Sequence, residues 1–255
     1  MEKELNGKKA IITGASTGIG AATAITFARE GASVIINYNR SADEAKKVQE
    51  RAKSLGSDAY IFKADVTNEE EVKQLVEFTK DKFGCIEILV NNAGDLLERK
   101  ALMETDLNYW KTHIDLNLTS AYIVTKNSVP LLLSSKSNDK AIINISSIAA
   151  VTGGGKGAAA YATAKGGLKT FTKALAKELS AYNIRVISVM PGLIVTPFHQ
   201  KAKTEDIEGW ANRQVLLKRA GKSEEVAEVI AFLASERASY INSTEIFVDG
   251  GWIMG

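Results

Sequence analysis

Cysteine is nearly missing from this chain: Cys85 is the only one among 255 residues. No disulfide can form within the chain, and no thiolate cluster can hold a metal there. The two histidines, His113 and His199, give no further basis for a metal site. Proline occurs three times, and no Pro- or Ser-rich linker, low-complexity run or shift in composition divides the sequence. One domain over residues 1–255 is therefore expected. An excess of one charge is also absent, since 32 basic and 30 acidic residues leave a formal charge of +2, spread along the chain. That balance gives no reason to expect nucleic acid or an anionic membrane as a partner. No apolar run approaches the roughly 18 residues that span a bilayer. The charged N-terminal stretch, Met1 to Lys9, lacks the apolar core of a signal peptide. A soluble, cytoplasmic protein is expected.

What is present is ordinary material for a sizeable core, with 45% hydrophobic and 24% charged residues. The apolar run Ala10 to Ile12 leads straight into Thr13-Gly-Ala-Ser-Thr-Gly-Ile-Gly20. Ala21 to Glu30 reads as a helix stopped by Gly31, and Ala32 to Asn37 as a second strand. Strand, glycine-rich turn, helix and strand make a βαβ unit of about 30 residues. A turn that points backbone N–H groups at a pyrophosphate needs positive φ and no Cβ in the way, which suits Gly14, Gly18 and Gly20. The spacing is G-x-x-x-G-x-G, and a purely structural tight turn is the alternative.

The alternation continues to the end of the chain. Helix 41–55 has Ser41 as a candidate cap, strand 59–63 ends at Asp65-Val66, and Asn68 caps a helix to Phe83 that Gly84 stops. Strand 86–90 runs into Asn91-Asn-Ala-Gly94, a helical region covers 106–133, and strand 141–145 leads to helix 158–182. Strand 185–189, helix 224–234 capped by Ser223, and strand 245–248 close the set. Seven strands interleaved with helices predict an α/β fold, a doubly wound parallel sheet of about seven strands with helices on both faces. Ligands in such sheets sit beyond the carboxyl ends of the strands. Gly14, Asp65, Asn92, Ser147 and Pro191-Gly192 all fall at those ends.

Tyr161-Ala-Thr-Ala-Lys165 places a phenol and an ammonium one helical turn apart on one face. Such a pair lowers the cost of a phenolate and can hand a proton to a carbonyl oxygen. The spacing alone is common on helices, so its meaning depends on the rest of the pattern.

With TGASTGIG at 13–20, Asp65-Val66, NNAG at 91–94, Asn117 within DLNLT, ISS at 145–147, YATAK at 161–165, PGLIVTP at 191–197 and FVDGGW at 247–252, the sequence resembles the short-chain dehydrogenase/reductase family along nearly its whole length. The resemblance implies Tyr161 as general acid/base, with Lys165 holding the nicotinamide ribose and lowering the phenol pKa. It also implies Ser147 orienting the substrate oxygen and Asn117 holding a water that links Lys165 to solvent. Ser146 is the neighbouring candidate for the serine role. The implied cofactor contacts are Gly14, Ser16, Thr17, Gly18, Ile19 and Gly20 in the turn, and Asp65 and Val66 at the adenine. Asn92, Ala93 and Gly94 would pass the adenosine ribose, and Pro191, Gly192, Ile194 and Thr196 would lie near the nicotinamide, beside Tyr161 and Lys165.

The second strand ends Asn37-Tyr38-Asn39-Arg40-Ser41, with Tyr38 where a ribose-binding carboxylate would stand in an NAD enzyme. No carboxylate there repels a 2′-phosphate, and Asn39, Arg40 and Ser41 can hydrogen-bond one, so NADP is the expected cofactor, with NAD as the second option. Thr17 stands where many NADP-preferring relatives have Arg, and Arg40 also reads as a surface charge. The resemblance implies a substrate lid over about 196–220, holding His199, Lys201, Lys203, Trp210 and Arg213. Trp210 either contacts substrate or packs the lid on the body. Gly166 and Gly167 suggest close approach of another helix, and Ser223 and Ser243 stand where relatives have Pro and Gly. A homotetramer is implied.

The expected function is hydride transfer between NADP(H) and a carbonyl or secondary-alcohol substrate of small-molecule type. A 3-oxoacyl-thioester reductase of fatty-acid synthesis and a non-catalytic dinucleotide-binding protein are the alternatives.

Overall fold

The computed structural model describes residues 3–196 and 206–253. Strands Lys9–Ile12 (β1), Ser33–Tyr38 (β2), Ala59–Lys63 (β3), Ile88–Asn91 (β4), Lys140–Ile145 (β5), Ile184–Pro191 (β6) and Glu245–Val248 (β9) form one parallel sheet in the order β3-β2-β1-β4-β5-β6-β9. Ile194–Val195 (β7) and Gly221–Lys222 (β8) pair separately. The strand order reverses between β1 and β4, where Ile11 sits opposite Leu89, so a crevice opens beyond their carboxyl ends.

Both faces of the sheet are covered, which is why its central strands read as unbroken apolar runs rather than alternating ones. On one face Ile12, Val34, Ile36, Val90 and Ile143 pack with Phe27 of helix Gly18–Arg29 (α1), Val48 of Ala42–Ser54 (α2) and Ile230 of Ser223–Ala234 (α9). On the other, Ile11, Ile35, Leu89 and Ile142 pack with Leu75 of Glu69–Phe83 (α3), Leu131 of Ser120–Ser134 (α5) and Leu179 of Ala159–Leu179 (α7). Each wholly buried Ile or Leu contributes about 1.5–3 kcal/mol.

Asn68 caps α3 as read from the sequence, its Oδ1 accepting from Glu70 N (3.0 Å) and Glu71 N (3.3 Å). Two other caps differ. Ser41 occupies the cap position of α2 without a side-chain cap bond. Ser223 is the first residue of α9, and Lys222 is the cap, its N–H donating to Glu225 Oε2 at 2.8 Å. The expected helical region 106–133 is Leu107–Ile114 (α4), a π turn at Asp115–Thr119, and α5. Gly167 does face a close neighbour, but within the chain: a Cβ there would meet Leu118 Cδ2 of the π turn at 2.7 Å. Ser243 takes the left-handed φ of +56° that glycine adopts more readily. His199, Lys201 and Lys203, and Pro197 of the PGLIVTP motif, lie outside the described residues. A short helix Ala149–Thr152 (α6), helix Ile207–Gln214 (α8) and 3-10 turns at Leu102–Glu104, Ser180–Tyr182 and Glu236–Ala238 complete the described elements.

Candidate active site

The turn after β1 is built from the neighbouring strands. Gly14 and Gly18 have φ of +60° and +57°, the region that favours glycine. Asn37, at the end of β2, accepts from Gly14 N at its Oδ1 (3.2 Å) and from Ala15 N at its carbonyl (2.8 Å). Thr13 Oγ1 accepts from Asn92 N and Ala93 N, both at 3.0 Å. Asn92 Nδ2 donates to Thr13 O (2.9 Å) and Gly14 O (3.1 Å). A Cβ on Gly20 would lie 2.5 Å from both Asn92 Nδ2 and Gly14 O, so Gly20 is required by the fold of the turn itself. Asn37 and Thr13 were not singled out in the sequence. The available signal was a polar side chain ending an apolar run, where burial demands partners.

Beyond these strand ends lies a cleft of about 840 Å³. Of the residues expected there, Gly14, Ser16, Thr17, Gly18, Ile19, Asn39, Arg40, Asp65, Asn92, Ala93, Gly94, Ser147, Tyr161, Lys165, Pro191, Gly192, Ile194 and Thr196 line it. Gly20, Tyr38, Ser41, Val66 and Asn117 do not. Tyr38 packs against the core, Val66 is buried in it, and Ser41 is exposed at the start of α2. The residues of β2's end that face the cleft are thus Asn39 and Arg40, not Tyr38. Asn39 Nδ2 donates to Asp65 Oδ2 (3.0 Å), and Asp65 Oδ1 accepts from Thr67 N and Thr67 Oγ1. Burial works to raise the Asp65 pKa, but bonds from Thr67 and Asn39 and the charge of Arg40 outweigh it and hold the carboxyl below its usual value.

At the other end of the cleft, α7 sets Tyr161 and Lys165 one turn apart. Lys165 is 3% exposed, its Nζ donates to Ile145 O at 2.9 Å, and it stands 5.8 Å from the Tyr161 ring centroid. Burial pulls the Lys165 pKa down to about 8. Burial pushes the Tyr161 phenol up to about 12, against a hydrogen bond with Ser147; the charge of Asp95 adds to the rise and that of Arg99 opposes it. Burial thus outweighs the Ser147 bond, and the phenol is raised. The two serines separate cleanly. Ser146 Oγ is buried and donates to Lys165 O (2.9 Å), whereas Ser147 reaches Tyr161 and accepts from Ala149 N at 3.1 Å.

Asn117 sits behind this group in the π turn, where Ser120 N donates to Asp115 O five residues back. Its Oδ1 accepts from Asp95 N (3.1 Å), and its Nδ2 donates to Asp95 O (2.9 Å) and His113 O (3.0 Å). Both amide donors are thereby used within the protein. Gly94 passes between Asn117 and Lys165: a Cβ would meet Asn117 Oδ1 at 2.7 Å and Lys165 Nζ at 3.0 Å. Trp210 lies on α8. It lines the cleft, and its ring meets Trp252 edge to face at 5.5 Å, so α8 packs on the chain beyond β9.

No helix among the described residues is long and apolar enough to cross a membrane. No group of three or more His, Cys, Asp or Glu among them could hold a metal.

Comparison with known proteins places this geometry. A family model described as enoyl-(acyl carrier protein) reductase matches residues 14–253. A 3-oxoacyl-[acyl-carrier-protein] reductase of Synechocystis is 41% identical over 251 residues, covering 98% of both chains. The enzyme of that name from Thermotoga maritima is 39% identical, covering 98% of this chain and 99% of its own. Among solved structures, a short-chain dehydrogenase from Burkholderia cenocepacia in complex with NADP superposes with a TM-score of 0.91 at 29% identity, covering 98% of this chain and 99% of that one. A variant short-chain dehydrogenase/reductase from Serratia marcescens gives 0.90 at 32% identity, with the same coverage. With the glycine turn, the Ser147–Tyr161 bond and the buried Lys165 on one cleft, the chain belongs to the short-chain dehydrogenase/reductase family.

Proposed function

We propose that this oxidoreductase interconverts a carbonyl and a secondary alcohol with NADP(H) in preference to NAD(H), acting in the cytoplasm as a homotetramer. One observation carries the reading: the Ser147 hydroxyl is bonded to Tyr161, with Lys165 buried behind, on the cleft that also holds the Gly14–Gly18 turn. The turn fits a dinucleotide, since positive φ at Gly14 and Gly18 presents backbone N–H groups and α1 begins there. Gly94 lines the same cleft, where a Cβ would press on Asn117 Oδ1 and Lys165 Nζ. Asn39 and Arg40 on the cleft favour a 2′-phosphate, and the NADP bound by the Burkholderia protein agrees.

When bound, the dinucleotide supplies or accepts the reducing equivalents at the substrate carbon. This chain's residues act at the oxygen. Ser147 and Tyr161 donate hydrogen bonds to it, and Tyr161 gives up or takes back the proton. Lys165, charged below a pH of about 8, offsets the phenolate that forms. Asn117 fixes the backbone of Asp95 and so the wall beside Lys165. The Ser147–Tyr161 hydroxyl pair beside that ammonium supports turnover over nucleotide binding alone.

A second reading, reduction of 3-oxoacyl thioesters, is supported by the names of the curated relatives. Two hydroxyls side by side suit protonation of a carbonyl oxygen better than of an alkene carbon, which favours keto over enoyl reduction. The test is a panel of ketones, sugars, short oxo acids and 3-oxoacyl thioesters, assayed with NADPH and NADH. At least one class is expected to turn over, with NADPH preferred. Failure of every class with both cofactors would sink the proposal.

A further inference from the structure

The segment leaving β4 turns at Leu97, a non-glycine residue held at φ +57°, and brings Arg99 into the cleft that contains Tyr161 and Ser147. This approach is built rather than incidental. Lys100 N donates to Gly157 O at 3.2 Å, and Tyr109 Oη donates to Glu98 O at 2.8 Å. Arg99 Nη1 donates to Lys156 O at 3.1 Å. The glycine loop allows the contact: a Cβ on Gly155 would press Arg99 Nη1 at 3.2 Å, and one on Gly157 would meet Lys100 N at 2.9 Å. The nearby acids are engaged elsewhere. Glu98 pairs with Lys100 at 3.1 Å, and Asp95 Oδ1 accepts from Leu97 N at 3.2 Å. Arg99 forms no salt bridge among the described residues, and its charge reaches the Tyr161 hydroxyl.

A guanidinium bonded to one carbonyl keeps a planar fork of further donors, shaped for the two oxygens of a carboxylate or phosphate. We propose that Arg99 is a specificity-determining residue that binds an oxyanion carried by the substrate, so that the preferred carbonyl compound is an anion. The inference rests on the carbonyl-reductase reading above and names the class of compound that site selects. Two sources share this chemistry: the carboxylate of a short oxo acid, or the phosphate on the arm of an acyl carrier.

The experiment compares matched substrates in wild type, Arg99→Gln and Arg99→Lys. One pair is a short 3-oxo acid and its methyl ester. The other is a 3-oxoacyl thioester on phosphopantetheine and on pantetheine. The quantity read is the ratio of kcat/KM for the anionic over the neutral member. In Arg99→Gln that ratio is expected to fall by about tenfold or more through KM in one pair, which identifies the source, while Arg99→Lys retains part of it. A smaller change in both pairs overturns the proposal, whatever the absolute rates. Turnover of no substrate by wild type would remove the carbonyl-reductase reading instead. A binding arm then decides for Arg99, using the fluorescence of Trp210 and Trp252, which line the same cleft. With NADP⁺ saturating, malonate or inorganic phosphate is expected to change the emission of wild type and not of Arg99→Gln. No response in wild type overturns the proposal.

Discussion

Lys165 is the buried side chain on which the proposed proton transfer at Tyr161 depends. Its ammonium lies behind Tyr161 with a carbonyl partner, and burial draws its pKa down to about 8. Because that value is depressed, the cation is present below about 8 and lost as pH rises through it. The free-enzyme kcat/KM for reduction should therefore fall by about tenfold per pH unit above 8. A profile flat to pH 10 would contradict the assignment. The family pattern made Tyr161 and Lys165 legible in the sequence, and it favoured Ser147 over Ser146 without separating their environments. What separates them is direction at the end of β5. Ser146 points into the body and holds the Lys165 carbonyl, while Ser147 reaches Tyr161, and only coordinates show which way a strand end turns. The cofactor residues divide similarly. Tyr38, at the place of a ribose-binding carboxylate, packs on the core, while Asn39 and Arg40 reach the cleft as expected.

At the scale of elements, three pieces meet behind the site: the chain after β4, the π turn and α7. Periodicity read residues 106–133 as one helical region, because one extra residue in a turn hardly disturbs an apolar pattern. The inserted residue turns Asn117 inward, where it ties down Asp95 and satisfies His113 O. The glycines carry the same lesson. The resemblance sets Gly94 beside the adenosine ribose, and its missing side chain is also what lets Asn117 and Lys165 draw near. Gly94→Ala should lower kcat/KM by about 100-fold, since a displacement near 1 Å at such a site has that effect. Stability should fall by only about 1–3 kcal/mol, as for other overpacked sites. Kinetics together with urea unfolding checks both, and near-normal activity would mean that Lys165 moves aside freely. Ser41 stands at the cap of α2 without a side-chain bond, whereas the cap of α9 falls one residue before Ser223, at Lys222, which succeeds through Glu225 three residues on.

For the whole molecule, the doubly wound sheet was legible because seven apolar runs alternated with helical ones, and right-handed crossovers leave few arrangements. The pairing of β7 with β8 was not, as two-residue strands carry no periodicity. Large apolar side chains left exposed on the single chain support the proposed homotetramer. These side chains include Met103, Leu107, Tyr122, Tyr240 and Phe247, and Tyr122 meets Phe171 of α7. Light scattering at micromolar concentration should give a mass four times that of the chain, and a monomeric mass would refute the assembly. The account as a whole turns on Tyr161, and the most direct measurement is NADPH-dependent turnover by Tyr161→Phe beside wild type on the best substrate of the panel. Turnover should drop by about 100-fold or more, in the range of a lost general acid, while NADPH fluorescence titration shows binding retained. Turnover at the wild-type rate would show that another group delivers the proton.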